Sequence, residues 1–149
     1  RILWQKIFVM SSEVLDLQKA KIANIQDSLE KISKNLDQPA AFINTHHFAE
    51  GVYVRAYYGV KDSVVVSQVH LHENITILAR GHCRVISTMQ EEERIDVYRD
   101  FGIFKTLPYT KRALYFLEDT TILTVHPNPE NITDIELLEE RLVKPNFTD

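Results

Sequence analysis

A single cysteine, Cys83, stands among 149 residues. That is too few for an internal disulfide or a cysteine-ligated zinc knuckle, so the redox compartment is reducing or irrelevant. Four glycines and five prolines exclude collagen-like and low-complexity classes. Positive charge is not in excess either. Lys plus Arg number 17 against 21 Asp plus Glu, a formal charge of −4, which removes the electrostatic case for nucleic acid or an anionic membrane surface. No apolar run approaches the roughly 18 residues that read as a membrane span. A Gly-rich phosphate loop, a nucleophile elbow and a Cys–His pair at recognisable spacing are absent too. What remains is 44% hydrophobic and 26% charged, the balance of one globular domain able to bury a core. Arg1 stands where an initiator Met would, so the expectation is a further segment upstream of it.

The most regular pattern lies near the N-terminus. Leu15, Ile22, Leu29 and Leu36 recur every seven residues, Ile25 and Ile32 fill the intervening positions, and Gln18 is the polar exception. Ser11, Ser12 and Glu13 suit a helix start, and Pro39 disfavours helix at the residue before it. A narrow seam of about three heptads predicts a self-associating stalk. Leu at a with Ile at d favours three or four strands over two, and a homotrimer is the form expected. The competing reading is an amphipathic helix lying on the chain's own barrel. Arg1–Met10 has no polar face. It reads as an extended segment packed on a neighbour or as the end of something cut away. Residues 1–38 are thus an oligomerisation arm that also contacts other proteins.

From Phe48 to His126 the chain reads as short β-branched and aromatic strands about ten residues apart, which implies a sandwich or barrel over 48–127. Ser63–His72 is expected as one long strand, with Val64, Val66 and Gln68 on the face of His70. Ala113–Leu117 and Thr121–Val125 are expected to pair as a hairpin across Glu118–Thr120. Lys111 and Arg112 are placed in a turn, solvated or as an interface contact. A short helix follows over 131–143, with Thr133 and Glu136 as a capping box and Ile135, Leu138 and Leu142 as the stripe that docks on the barrel.

Histidines carry the strongest chemical hint. His46, His47, His70, His72 and His82 fall within one stretch, and His70-Leu71-His72 on a strand would send both imidazoles to one face. Two such rings hold a divalent metal only if a carboxylate or third His joins them, and His126 is a candidate third ligand. Glu118 and Asp119 read as turn residues rather than an acid–base pair, and Cys83 as a small core residue.

Four pieces of this region, F-A-E-G-V-Y-V-R (48–55), H-L-H-E-N-I (70–75) leading to Gly81, P-Y-T-K-R (108–112) and E-D-T (118–120) ending at His126, resemble the cupin superfamily. More narrowly, they resemble short cupin-like proteins of tailed bacteriophages. The resemblance covers about half the chain and implies a mainly β, jelly-roll barrel between the N-terminal coiled-coil-type helix and the short C-terminal helix. It also implies a virion setting; without it, a cytoplasmic one is expected. A metal-binding cupin adds a Glu four or five residues after its second His, where this chain has Thr76 and Ile77. It has Thr110 where that family's turn Gly belongs and Ala113 where its third His belongs. With His70 and His72 alone left of the implied metal ligands, no cofactor is expected. The leading expectation is therefore a non-enzymatic structural or assembly protein of the virion, a connector, decoration or fibre-attachment part. The alternatives are a metal-dependent cupin enzyme and a small-ligand-binding barrel using His70 and His72.

Overall fold

In the strand that ends the barrel, Thr120, Ile122, Thr124, His126 and Asn128 are each more buried than the residues between them, the period of two that one covered sheet face imposes. The computed structural model describes residues 5–9, 42–89 and 92–145. Its strands are β1 (Gln5–Val9), β2 (Phe42–Ala49), β3 (Gly51–Gly59), β4 (Ser63–Ser67), β5 (Val69–His70), β6 (Asn74–Arg80), β7 (His82–Met89), β8 (Glu92–Arg99), β9 (Gly102–Thr106), β10 (Thr110–Phe116), β11 (Thr120–Asn128) and β12 (Val143–Lys144). The helix α1 (Ile135–Leu142) lies between the last two. It is too short to cross a membrane. The heptad residues Leu15, Ile22, Ile25, Leu29, Ile32 and Leu36 lie outside the described residues.

Four antiparallel pairings nest inside one another: β7 with β8, β6 with β9, β4 and β5 with β10, and β3 with β11. A long hairpin with its tip at β7–β8, rolled over on itself, produces that nesting. It divides into two sheets, β3-β11-β6-β9 and β4/β5-β10-β7-β8, which is the connectivity of a jelly roll. β2 extends the first sheet beside β3, while β1 and β12 extend the second beside β4 and β5.

The space between the sheets has two unlike ends. At one, Tyr57, Leu78 and Ile122 of the first sheet meet Val65, Cys83, Val85, Leu114 and Phe116 of the second. Each large apolar side chain buried there contributes roughly 1.5–3 kcal/mol, so this end carries most of the packing stability. The other end is polar inside and is closed by α1, whose Leu138 and Leu142 pack with Val143 on Tyr53.

Gln5–Val9 is extended, as expected, and pairs with this chain's own β4. Several other expectations change. Residues 42–47, outside the barrel expected over 48–127, are part of β2 and pair along β3. β10 and β11 do not form a hairpin: residues 117–119 carry the chain from one sheet to the other. There Asp119 Oδ1 accepts the Lys61 backbone N–H at 2.9 Å, the turn role expected of it. The cap of α1 is Asp134, whose Oδ1 accepts the Leu137 N–H at 3.1 Å, rather than Thr133. Lys111 and Arg112 are not in a turn. The turn closes earlier, where Thr110 Oγ1 donates to the Leu107 carbonyl at 2.7 Å and Tyr109 takes φ +60°, and both cations then fall on β10.

Candidate functional site: the polar end of the barrel

The long strand expected over 63–72 is interrupted. Val66 lies opposite Ala113 but His70 lies opposite Thr110, so four steps on one strand face three on the other. That is a β-bulge. Ser67 bridges it, its hydroxyl accepting the Arg112 N–H at 2.9 Å and donating to the Gln68 carbonyl at 2.9 Å. The extra residue reverses the facing beyond it. Val65 and His70 point inward, while Val64 and Val66 point away, contrary to the shared face expected for them. β5 then ends at His70. His72 lies in the bend beyond, exposed, so the two rings do not share a strand face.

Cross-strand register assembles the rest. His46, Arg55, Thr124, Thr76 and Phe104 form one inward row across β2, β3, β11, β6 and β9. In the next row, Phe48 and His126 both lie opposite Tyr53. Ring stacking ties the sheets together: His70 to His126 at 6.0 Å between centroids, His126 to Tyr53 at 5.7 Å, and Tyr53 to His46 at 5.9 Å. The Tyr53 hydroxyl and His46 Nδ1 are hydrogen-bonded at 2.6 Å. Asn74 Nδ2 donates to His70 Nδ1 at 3.4 Å, and Thr76 Oγ1 donates to Asn74 Oδ1 at 3.4 Å.

The electrostatics of this end are cationic. Arg55 is buried, and burial lowers its pKa to about 10. Burial is also the main force on the imidazoles, with help from the guanidiniums. His70 is brought down to about 3 by burial, then Arg112 and Arg55. His126 lies well below its ordinary value through burial, His70, Arg55 and His72. Both rings are therefore neutral at physiological pH. Burial raises Tyr53 to about 12, which keeps its hydroxyl protonated. Glu139 of α1 is the carboxylate whose field reaches Arg55 and Tyr53.

The residues do not fit the divalent metal that the cupin resemblance implies. Catalytic metal sites of this kind take three or four protein ligands, and among the described residues no cluster of three or more His, Cys, Asp and Glu is assembled. The guanidiniums of Arg112 and Arg55, whose fields reach His70, would repel a divalent ion placed on that ring. At Thr76, where a metal-binding relative would place its Glu, a hydroxyl faces Arg112 Nη1 at 3.4 Å.

No protein-family model matches the chain, and no curated protein matches it. Solved structures do resemble it. Hydroxypropylphosphonic acid epoxidase from S. wedmorenis aligns at TM-score 0.49 and 8% identity over 62% of this chain and 52% of that one. A cupin superfamily protein from Desulfitobacterium hafniense aligns at 0.48 and 6% over 63% and 84%. A conserved protein of unknown function from Streptococcus pyogenes aligns at 0.45 and 12% over 73% and 79%. The alignment spans about half the length of the epoxidase. Iron(II) and cobalt(II) forms of that enzyme are among the similar structures.

Sequence reading found His70 and named His126, but missed Tyr53, Arg55, Thr76, Thr106 and Arg112 as inward-facing. The signal was present for β3 and β11, where Tyr53, Arg55 and Tyr57, and Thr124, His126 and Asn128, alternate with apolar or small residues. For Arg112 it was hidden, because the turn before β10 was drawn too long.

Proposed function

We propose that this chain is a non-enzymatic assembly protein, a jelly-roll module of cupin type that associates with copies of itself through the heptads of residues 15–36. The observation that favours a non-enzymatic reading over a metal-dependent enzyme is the pair of guanidiniums, Arg55 and Arg112, acting at His70 inside the polar end. Thr76 takes the place of the Glu that a metal-binding cupin would use, and Arg112 Nη1 donates to it at 3.4 Å, so an anionic ligand is missing there. The association part rests on the heptad pattern, with Leu15, Ile22, Ile25, Leu29, Ile32 and Leu36 as its seam. A virion setting follows from the resemblance of the motifs at 48–55, 70–75, 108–112 and 118–120 to phage cupin-like proteins.

The experiment is elemental analysis of the full chain purified without chelator. Substoichiometric Fe, Mn, Ni and Zn, unchanged by His70→Ala, is the expected outcome. One equivalent of any of them, lost in His70→Ala, would overturn the reading in favour of a metal-dependent barrel.

A further inference from the structure

β8 is an edge strand of one sheet and β9 an edge strand of the other in the described structure, and between them the barrel opens into a pocket of about 510 Å³. Arg112 reaches it from β10. Its guanidinium is fixed by neutral groups alone: Nε donates to Ser87 Oγ at 3.2 Å, and Nη1 donates to Thr106 Oγ1 at 2.7 Å and to Thr76 Oγ1 at 3.4 Å. Nη2 makes no hydrogen bond among the described residues. Arg112 is half-buried and keeps its charge, with Asp96 and Tyr98 acting on it through space, but no carboxylate hydrogen-bonds its guanidinium among the described residues, so Nη2 is left to face the pocket.

The wall around Arg112 has matching character. Arg94 and Lys105 add two cations, against the single carboxylate of Asp96. Asp96 is itself engaged by Arg94 at 2.8 Å, while Lys105 has Glu73 at 3.4 Å outside the pocket with both side chains more than half exposed. Tyr98 and Phe104 stack at 4.0 Å between centroids and line the same space with Ile103 and Leu107. An oxyanion recognition point thus sits beside an aromatic and aliphatic wall.

We propose that this pocket binds a small organic carboxylate with an apolar, ring-sized body, its oxygens on Arg112 Nη2 and its body against Phe104 and Tyr98. None of the lining residues belongs to the heptads, and the test below reads ligand binding rather than mass, so its failure is distinguishable from a failure of self-association. Preorganisation is built in, because three hydroxyls hold the guanidinium before any ligand arrives.

The test is calorimetric titration of the full chain with benzoate, with benzamide as the neutral shape match and inorganic phosphate as the anion without a body. Benzoate is expected to bind, with benzamide and phosphate each at least about tenfold weaker, as loss of a charge-assisted hydrogen bond or of ring burial implies. Arg112→Lys keeps the charge but loses the fixed fork and is expected to weaken benzoate about tenfold or more. If Arg112→Lys does not fold, the double variant Arg94→Gln/Lys105→Gln, on the rim, is expected to weaken benzoate about threefold and flatten its salt dependence. Three results would overturn the proposal: no heat with benzoate at millimolar concentration, equal binding of benzamide, or benzoate affinity unmoved by whichever variant folds. Phosphate binding more tightly than benzoate would overturn the ligand class.

Discussion

His70 and His126 tie the stability of the barrel to pH. Each is held neutral in the folded chain, His70 at about 3 and His126 well below its ordinary value, whereas an unfolded histidine titrates near 6.5. Below about pH 6.5 the unfolded state therefore binds more protons than the folded one, and stability falls as pH falls. Above pH 6.5 both states carry neutral rings and the penalty is absent. Each ring contributes a slope approaching about 1.4 kcal/mol per pH unit below that point. Urea denaturation at pH 7 and pH 5 is expected to show a clear loss at the lower pH, and a smaller loss in His70→Gln. An equal loss in the variant would place the acid sensitivity elsewhere. At this scale the sequence was only partly legible. His70 could be picked out by type and spacing, but its relation to His72 depended on one bulge residue, Ser67, that alternation alone does not reveal. Arg112 was misassigned for a similar reason: a one-residue turn at Tyr109 decides whether it faces solvent or the barrel.

The elements were easier to read than their partners. β-branched and aromatic runs marked β3, β6, β7, β10 and β11, since each buries one face. Which strand lies beside which did not follow, because a rolled hairpin pairs strands far apart in sequence, such as β3 with β11, and carries neighbours such as β10 and β11 into different sheets. The joint between β6 and β7 shows how tightly such a crossing is packed. Gly81 has φ +113°, and a Cβ there would come within 2.7 Å of Thr120 Cα and 2.8 Å of the Asp119 carbonyl oxygen. Gly51 also has a positive φ, +73°, but has open space around it. Gly81→Ala is accordingly expected to cost about 1–3 kcal/mol more than Gly51→Ala in equilibrium denaturation, since both carry the backbone strain and only the first adds a clash with main chain. Equal costs for the two would show that the crossing between β7 and β11 gives way more readily than this packing implies.

For the whole molecule, one end of the barrel is a conventional core and the other a cationic chamber capped by α1. That division explains why the histidine count alone pointed toward metal chemistry. Imidazoles can stack between sheets and beside guanidiniums, as His70 and His126 do here, and composition cannot tell that use from ligation. Self-association belongs to this scale too, and it is the central claim, resting on the seam of Leu15, Ile22, Ile25, Leu29, Ile32 and Leu36. Light scattering on the full chain after size exclusion tests it most directly. The expected mass is that of a trimer, about 52 kDa from three chains of 17.3 kDa, falling to one chain when Ile25→Lys and Ile32→Lys place charges in the seam. A mass of 17.3 kDa for the unaltered chain, or an oligomer indifferent to both lysines, would contradict it.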